Sequence, residues 1–138
     1  MADTPRPAPL RDAVTAPFWE GCAQRELRIQ KCRACRFRWL PGSVVCPRCW
    51  SDAVTWAASA GDGTVVSFVV YHRSYHPAFQ PLVPYVVAVV ELAEGPRLVS
   101  NVVGVSPERV RVGMPVRVEF QPAGDTALPV FRPVGEGD

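Results

Sequence analysis

The sequence predicts a mainly β protein, in which a short N-terminal helix and a four-cysteine zinc ribbon precede a five-stranded barrel of the OB type. Two C-x-x-C pairs lie ten residues apart in CRACRFRWLPGSVVCPRC, residues 32–49. From Gly61 onward, five valine-rich runs alternate with turn residues over about seventy-five residues. Five strands fit a small barrel, whereas an immunoglobulin-like sandwich needs seven.

The chain of 138 residues, 48% of them apolar, is long enough for one compact domain with a small appendage. We expect a Pro-rich N-terminus with a short helix in residues 1–25, a zinc ribbon in residues 26–57 and the OB-fold domain in residues 58–138. The N-terminus shows no signal-peptide pattern. The longest apolar run, residues 82–90, is half the length of a membrane span. A cytoplasmic protein without membrane contact is therefore expected.

The stretch TAPFWEGCAQREL, residues 15–27, predicts the short helix. Thr15 suits the N-cap and Pro17 the first turn, and Phe18, Trp19 and Cys22 would share one apolar side. Cys22 lies outside both cysteine pairs, and we interpret it as a small apolar helix residue.

The paired cysteines indicate a structural zinc site. Each C-x-x-C turn places two thiolates on one ion, and two turns close the tetrahedral shell, which leaves no open position for hydrolysis. The flanking stretches ELRIQKC and DAVTW predict a short strand on each side of the site. We predict one structural Zn(II) per chain, with iron as the alternative metal, held by Cys32, Cys35, Cys46 and Cys49.

Charge is unevenly distributed along the chain, although the formal net charge is only +2. Residues 1–50 contain nine Arg/Lys and four Asp/Glu, whereas residues 51–138 contain six and nine. The basic residues around the cysteines would offset the −2 charge of zinc with four thiolates; contact with nucleic acid, a partner protein or an anionic cofactor is the alternative. These residues are Lys31, Arg33, Arg36, Arg38 and Arg48. The predicted barrel strands have almost no Lys or Arg, so we expect no nucleic-acid partner.

The run YVVAVVEL, residues 85–92, is apolar on both faces. Because alternate residues of a barrel strand point inward and outward, only one set should be apolar. An outward stripe of Tyr85, Val87 and Val89 is typical of a protein interface. Burial beneath the N-terminal segment or the ribbon is the alternative.

Both histidines, His72 and His76, lie in the aromatic and Pro-rich loop YHRSYHPAFQPLVPY. No Ser/His/Asp grouping, close carboxylate pair or Gly-rich phosphate loop accompanies them. We therefore predict no catalytic residue in this chain, and a loop suited to docking.

The chain resembles the domain-of-unknown-function thirty-five family, which joins a rubredoxin-like zinc ribbon to an OB fold. The resemblance spans residues 17–133 and depends on four segments in order. They are PFWEGCAQRELRIQKCRACRFRWLPGSVVCPRC, GDGTVVSFVVYHRSYHPAFQPLVPYVVAVVELAEGPRLVSNVVG, VRVGMPVRVEF and LPVFRP.

The resemblance implies a non-catalytic subunit of a hetero-oligomer. Such a subunit binds a thiolase-like, lipid-transfer-protein-type enzyme, and acyl-CoA is the substrate of the complex. The leading expectation is a retro-aldolase that cleaves a steroid side-chain acyl-CoA; a condensing thiolase or an acyl-CoA hydratase is the alternative partner. A nucleic-acid-binding module of zinc ribbon and OB fold is the alternative function of a different class. The expected contacts with substrate or partner lie in the loop, at His72, Arg73, Tyr75, His76 and Phe79.

Overall fold

The computed structural model describes residues 12–40, 42–72, 83–124 and 126–134. Helix α1, Ala16–Ala23, comes first, followed by the ribbon strands β1 (Arg28–Cys32), β2 (Arg38–Trp39) and β3 (Val54–Ala58). The barrel strands are β4 (Asp62–Tyr71), β5 (Tyr85–Leu92), β6 (Arg97–Val102), β7 (Pro115–Ala123) and β8 (Thr126–Pro133). A 3-10 helix, Pro107–Arg109, lies between β6 and β7. The predicted order of helix, ribbon and five barrel strands is confirmed.

Helix α1 follows Thr15, as predicted, but the Thr15 hydroxyl makes no capping hydrogen bond. The Thr15 N–H donates to Asp12 Oδ1 at 2.8 Å, and the Asp12 N–H donates to Thr15 Oγ1 at 3.3 Å. These two bonds form a reciprocal turn just before the helix. The hydrogen bond from the Thr15 backbone lowers the pKa of the Asp12 carboxyl. Cys22, on the buried side of α1, is fully enclosed, in agreement with its interpretation as an apolar residue.

The ribbon is a three-stranded antiparallel sheet with β1 in the centre, between β2 and β3. Strand β1 pairs along its whole length with β3, from Arg28 opposite Ala58 to Cys32 opposite Val54. The predicted strands on either side of the cysteine pairs are therefore neighbours in one sheet.

The five later strands form a closed barrel in the order β4-β5-β6-β8-β7, and β7 pairs back onto β4. All joins are antiparallel except that between β6 and β8, which is parallel and contains the single pair Val102 and Phe131. The tight β5–β6 hairpin turns at Gly95, whose φ of 116° suits glycine. This topology confirms the OB-type barrel expected from the valine runs.

One apolar cluster joins the barrel to the start of the ribbon. Leu27, which directly precedes β1, and Ile29, within β1, pack with barrel side chains such as Val65, Val90 and Phe131. Phe18 of α1 packs against the same cluster. The first ribbon strand is therefore anchored in the barrel core through side chains that precede the zinc-binding turns.

None of the helices in the described ranges is long and apolar enough to cross a lipid bilayer.

Candidate functional site

The four predicted ligands meet at one point. The sulfur atoms of Cys32, Cys35, Cys46 and Cys49 all lie within 4.8 Å of one another. Two of the separations are 3.6 Å, between Cys32 and Cys49, and 3.7 Å, between Cys35 and Cys46. A tetrahedral zinc with Zn–S bonds of about 2.3 Å has sulfur–sulfur edges of about 3.8 Å. The sulfur cage therefore fits zinc.

The two C-x-x-C turns have the same backbone geometry. The Cys32 N–H donates to Phe37 O and the Cys46 N–H donates to Ser51 O, both at 2.8 Å. Within each turn, the N–H of the second cysteine donates to the sulfur of the first at 3.4 Å. The residues that follow the turns, Arg36 and Trp50, have φ of 69° and 67°. Both adopt the left-handed conformation that closes the turn, at a cost for residues with a Cβ.

Neighbouring backbone N–H groups and sulfur atoms shift the pKa values of three cage thiols in different directions. Backbone N–H donation from Cys35 lowers the pKa of the Cys32 thiol to about 6. At Cys46, burial opposes ionisation, but N–H groups of Cys49 and Arg48 lower the pKa overall. At Cys49 the backbone of Ser51 favours the thiolate, but burial and the three neighbouring sulfurs outweigh it and raise the pKa to about 12. A bound zinc ion offsets the mutual repulsion of closely spaced thiolates.

A buried glutamine holds the chain between the two turns. Gln30, 2% exposed on β1, accepts from the Ser43 N–H at 2.7 Å through Oε1 and donates to Ser43 O at 3.0 Å through Nε2. The Ser43 hydroxyl accepts from Trp39 Nε1 at 3.0 Å and donates to Val45 O at 2.6 Å. Sequence analysis missed this network, because a glutamine in an alternating strand gives no sign of a partner thirteen residues away.

A β-bulge decides which side chains of β4 point outward. The pairing with β5 shifts register between Val65 and Ser67. Val65 is fully buried, but Val69 and Tyr71 are 54% and 37% exposed. They lie four and six residues after Val65, so an unbroken alternation would have buried them as well. The bulge therefore moves the second half of β4 to the opposite alternation. Phe68 packs against the core, on the face that Val69 and Tyr71 would otherwise share with Val65.

Strands β4, β5 and β6 consequently present one apolar surface, which we call the outer face. Val69 faces Val87, Tyr71 faces Tyr85, and Val89 faces both Ser67 and Val99. The two tyrosine rings stack with centroids 5.3 Å apart. Val99 is 70% exposed, and Tyr85, Val87 and Val89 are half-buried. The described parts of the ribbon and helix thus leave this face open. It consists of Val69, Tyr71, Tyr85, Val87, Val89 and Val99.

Of the predicted loop contacts, only His72 is described, and it is exposed. It lies near Glu108, whose pKa is lowered chiefly by the Ser106 hydroxyl and to a smaller extent by His72. Arg73, Tyr75, His76 and Phe79 lie outside the described residues. Within the described part of the chain, the four cysteines form the only His/Cys/Asp/Glu group suited to a metal.

Two family models match adjoining segments of the chain. Residues 19–55 match the rubredoxin-like zinc ribbon domain of ChsH2, and residues 56–121 match the C-terminal OB-fold domain of ChsH2. The first model contains all four cysteines, so the cage is a structural zinc site.

Curated relatives fall into two groups. A "Probable enoyl-CoA hydratase alpha subunit" of Thermomonospora curvata is 47% identical over 94% of this chain. The "3-oxo-4,17-pregnadiene-20-carboxyl-CoA hydratase alpha subunit" of Mycobacterium tuberculosis is 40% identical over 93%. The chain spans 40% of the length of each. A "DUF35 domain-containing scaffold protein" of Methanocaldococcus jannaschii is 31% identical, with 81% of this chain and 80% of the relative covered.

Solved structures agree with the sequence relatives. The "Ltp2-ChsH2(DUF35) aldolase" contains a chain that superposes with a TM-score of 0.83 at 44% identity, with 91% of this chain and 98% of that chain covered. A DUF35 protein of Sulfolobus solfataricus has the same fold, with a TM-score of 0.64 at 14% identity over 88% and 86% of the two chains. The chain belongs to the DUF35 family, with the zinc ribbon and OB-fold domain of ChsH2.

Proposed function

We propose that this DUF35 protein is a non-catalytic subunit that binds and stabilises a thiolase-fold, lipid-transfer-protein-type acyl-CoA enzyme. The preferred partner is a retro-aldolase that cleaves a steroid side-chain acyl-CoA. The partner assignment is supported by the likeness to the chain of the Ltp2-ChsH2 aldolase. The observation that carries a binding role is the outer face of the barrel.

The outer face has the character of a surface that a partner covers. Val69 and Val99 are more than half exposed at its two edges, and the stacked tyrosines adjoin them. Contiguous apolar patches of this kind on soluble proteins mark interaction sites. The core of an interface is poor in charged residues and rich in aromatic ones, and the outer face as described contains no charged side chain. Its chemistry matches the core of a permanent interface.

The acid–base chemistry is assigned to the partner. Within the described residues, the zinc shell is closed by four thiolates and the outer face offers no titratable group except its two tyrosines. A closed tetrahedral zinc stabilises structure and does not activate water. This chain therefore positions and stabilises, and the thiolase-like enzyme supplies the groups that transfer protons.

Charged substitutions on the outer face test the assembly. Val69→Glu and Val99→Glu should each weaken binding to the thiolase-like partner by about thirtyfold or more, because each puts a charge into an apolar contact surface that lacks charged side chains. Val112→Glu is the matched control, because Val112 is 64% exposed and lies outside the outer face. The affinity of each variant for the partner is measured by surface plasmon resonance, and the zinc content of each variant is checked. Native affinity in both outer-face variants would refute this binding mode.

Kinetics of the reconstituted complex test the division of labour. The chain alone should turn over no acyl-CoA, and the partner should gain strong activity when the chain is added. His72→Ala and His76→Ala should lower kcat by about tenfold or less, because loss of a true general acid or base costs about 10²–10⁴-fold. Arg73→Ala should mainly raise KM or weaken assembly. A thousandfold loss from either histidine in an assembled complex would assign catalytic residues to this chain.

The second candidate partner is an acyl-CoA hydratase. The two relatives of 47% and 40% identity are both named as hydratase alpha subunits, and each is longer than this chain. Purified complexes should be assayed for retro-aldol cleavage and for hydration of the unsaturated acyl-CoA. Hydration without cleavage would select the second candidate, and the outer-face variants would then be tested against the hydratase.

A further inference from the structure

We propose that the exposed end of the zinc ribbon is a second contact surface for the thiolase-like partner, and that it binds an acidic surface of that protein. We call this end the ribbon tip. It consists of five exposed side chains that each lie within two residues of a zinc ligand: Arg33, Arg36, Val44, Arg48 and Trp50. The identity of the partner rests on the function proposed above. The chemistry of the tip is a feature of this chain alone.

Trp50 is the most exposed of the four tryptophans. It is 77% exposed, whereas Trp39 is buried and donates through Nε1 to the Ser43 hydroxyl. Trp19 and Trp56 are half-buried. Among the described residues, the Trp50 indole has neither a hydrogen bond nor a ring contact. A large ring that is left open to solvent in this way is typical of a binding surface.

The backbone of the two cysteine turns favours glycine where the tip has arginine and tryptophan. Arg36 and Trp50 occupy equivalent positions, one residue after the second cysteine of each pair, with φ of 69° and 67°. Glycine adopts this left-handed conformation without the steric cost that a Cβ brings. The cost is present in both turns, at two of the residue types that are enriched among binding hot spots. Strain at exposed positions of this kind points to function rather than to folding.

The region of the tip has an excess of positive charge that the metal site does not balance. Residues 31–50 contain five basic residues and no acidic one. Zinc with four thiolates carries −2, so five minus two leaves a net charge of +3. Within the described residues, the ion pairs of arginine involve Arg28, Arg97, Arg117 and Arg132 and no arginine of the tip. Charge complementarity therefore predicts an acidic partner surface, because arginine forms bidentate contacts with carboxylates.

The size of the outer face requires further contact area. A stable protein–protein interface engages about 20–30 residues on each side, whereas the outer face consists of six residues. A partner that is centred on the outer face must therefore cover neighbouring surface as well.

The ribbon tip adjoins the outer face through strand β6. Arg97 and Val99 are alternate residues of β6 and are both exposed, so they point to the same side of the sheet. Arg97 lines a cleft together with Arg36 and Arg48 of the tip. The apolar outer face therefore continues into the basic tip. An apolar centre with a polar margin is the usual composition of a protein interface.

Surface plasmon resonance with the immobilised thiolase-like enzyme and the zinc-loaded full chain tests the proposal. Trp50→Ala should weaken binding at least about tenfold, mainly through faster dissociation. Trp50→Phe should retain most of the native affinity. Arg36→Gln should slow association about threefold or more and reduce its dependence on salt, because charges at the margin of an interface steer the encounter.

Trp50→Gly separates binding from folding. Glycine relieves the left-handed strain, so the Tm and the zinc content of this variant should be no lower than those of native protein. Its affinity for the enzyme should nevertheless fall as in Trp50→Ala. A tryptophan with a purely structural role would instead lower the Tm or the zinc content when it is replaced.

A fluorescein-labelled single-stranded oligonucleotide is the second probe, because aromatic and basic side chains also bind nucleic acid. The oligonucleotide should not bind at physiological salt. Binding that Trp50→Ala and Arg36→Gln both abolish, in variants with native affinity for the enzyme, would reassign the tip to nucleic acid.

Arg111→Gln is the matched control, because Arg111 is exposed on the barrel and lies outside both the tip and the outer face. Native affinity in Trp50→Ala, or equal losses in Arg36→Gln and Arg111→Gln, would overturn the proposal. If the tip variants bind normally while Val69→Glu and Val99→Glu do not, the tip assignment is wrong and the proposed function stands. If native protein does not bind the enzyme, the proposed function fails and the tip assignment fails with it.

Discussion

Among the described residues, the zinc ribbon has a cluster of three buried side chains of its own, Cys32, Trp39 and Cys46, whereas the cluster shared with the barrel has twelve. Two of those three residues are metal ligands. Hydrophobic burial stabilises in proportion to the apolar area removed from water, so a cluster this small cannot fix the ribbon. Coordination and hydrogen bonds stabilise the ribbon, and apolar packing stabilises the barrel. The two regions should therefore fail under different perturbations.

The largest effect should come from breaking the zinc shell. Structural zinc contributes about 10–16 kcal/mol of binding free energy, which in a ribbon is folding free energy. Cys46→Ser should release the metal and unfold residues around the two turns, while the barrel strands keep their structure. Elemental analysis and backbone NMR measure the two outcomes separately.

Cys22→Ala is the control for the zinc prediction, because Cys22 is also fully buried and lies in α1, outside the cage. Burial raises the pKa of its thiol to about 12, so it remains a neutral thiol at physiological pH. This variant should retain one zinc per chain. Full zinc occupancy in Cys46→Ser, or native protein without any metal, would contradict the assignment.

The second effect concerns the barrel core. Phe131 is fully buried, and it forms the single β6–β8 pair with Val102. Phe131→Ala should lower the free energy of unfolding by about 3–5 kcal/mol, the usual cost of a large cavity. Zinc should stay bound at denaturant concentrations below the transition. Val112→Ala, at a 64% exposed position, should change stability by less than about 0.5 kcal/mol. Release of zinc from folded Phe131→Ala would show that the two regions are not separable.

The third effect returns to the ribbon but leaves its metal in place. Gln30→Ala removes both side-chain bonds to the Ser43 backbone and leaves that N–H and carbonyl without their partner. We expect a loss of about 1–3 kcal/mol, the penalty for an unsatisfied buried polar group. The exchange rate of backbone amide hydrogens should rise in the loop between β2 and the second cysteine pair. Unchanged exchange at Ser43 would refute the role of Gln30.

The same contrast explains what the sequence could predict. Zinc ligands are predictable because the cysteine spacing is local and few functions other than metal binding need it. The barrel strands are predictable because valine runs and glycine turns are local as well. The outward position of Tyr85, Val87 and Val89 follows from the strand alternation and is confirmed, whereas their role as an interface stays a prediction.

Features that depend on distant partners were not predictable. The bulge after Val65 is invisible in a run where both faces are apolar, so the exposure of Val69 did not follow from the alternation. The sequence assigns Leu27 and Ile29 to the ribbon, but their side chains pack in the barrel core. The parallel pairing of β6 with β8 joins Val102 to Phe131, which lie far apart in the sequence. Each of these is a tertiary effect that no short window of sequence contains.

The smallest expected effect on stability comes from an ion pair on the barrel surface. Unlike the zinc cage, this pair is exposed to solvent. Arg132 donates to both carboxylate oxygens of Glu119, at 2.8 and 3.0 Å, yet the two side chains are 53% and 38% exposed. This contact lowers the pKa of Glu119 below its ordinary 4.5. The pair therefore stabilises the fold above the unfolded-state pKa, and this stabilisation is lost as the pH falls through the lowered pKa. Solvent screens such an exposed pair, so its contribution is small even at neutral pH.

Thermal unfolding of native protein and Glu119→Gln measures the contribution of this pair. The Tm of Glu119→Gln should lie a few degrees below the native value at pH 7, and the two values should converge in acid, where the native carboxyl is also neutral. Glu20→Gln, at an exposed position on α1, is the control and should differ little from native protein at either pH. A gap between native protein and Glu119→Gln that persists in acid would assign the loss to packing. Since zinc coordinated by thiolates survives conditions that screen a surface pair, the gap should also shrink in high salt while zinc content stays constant.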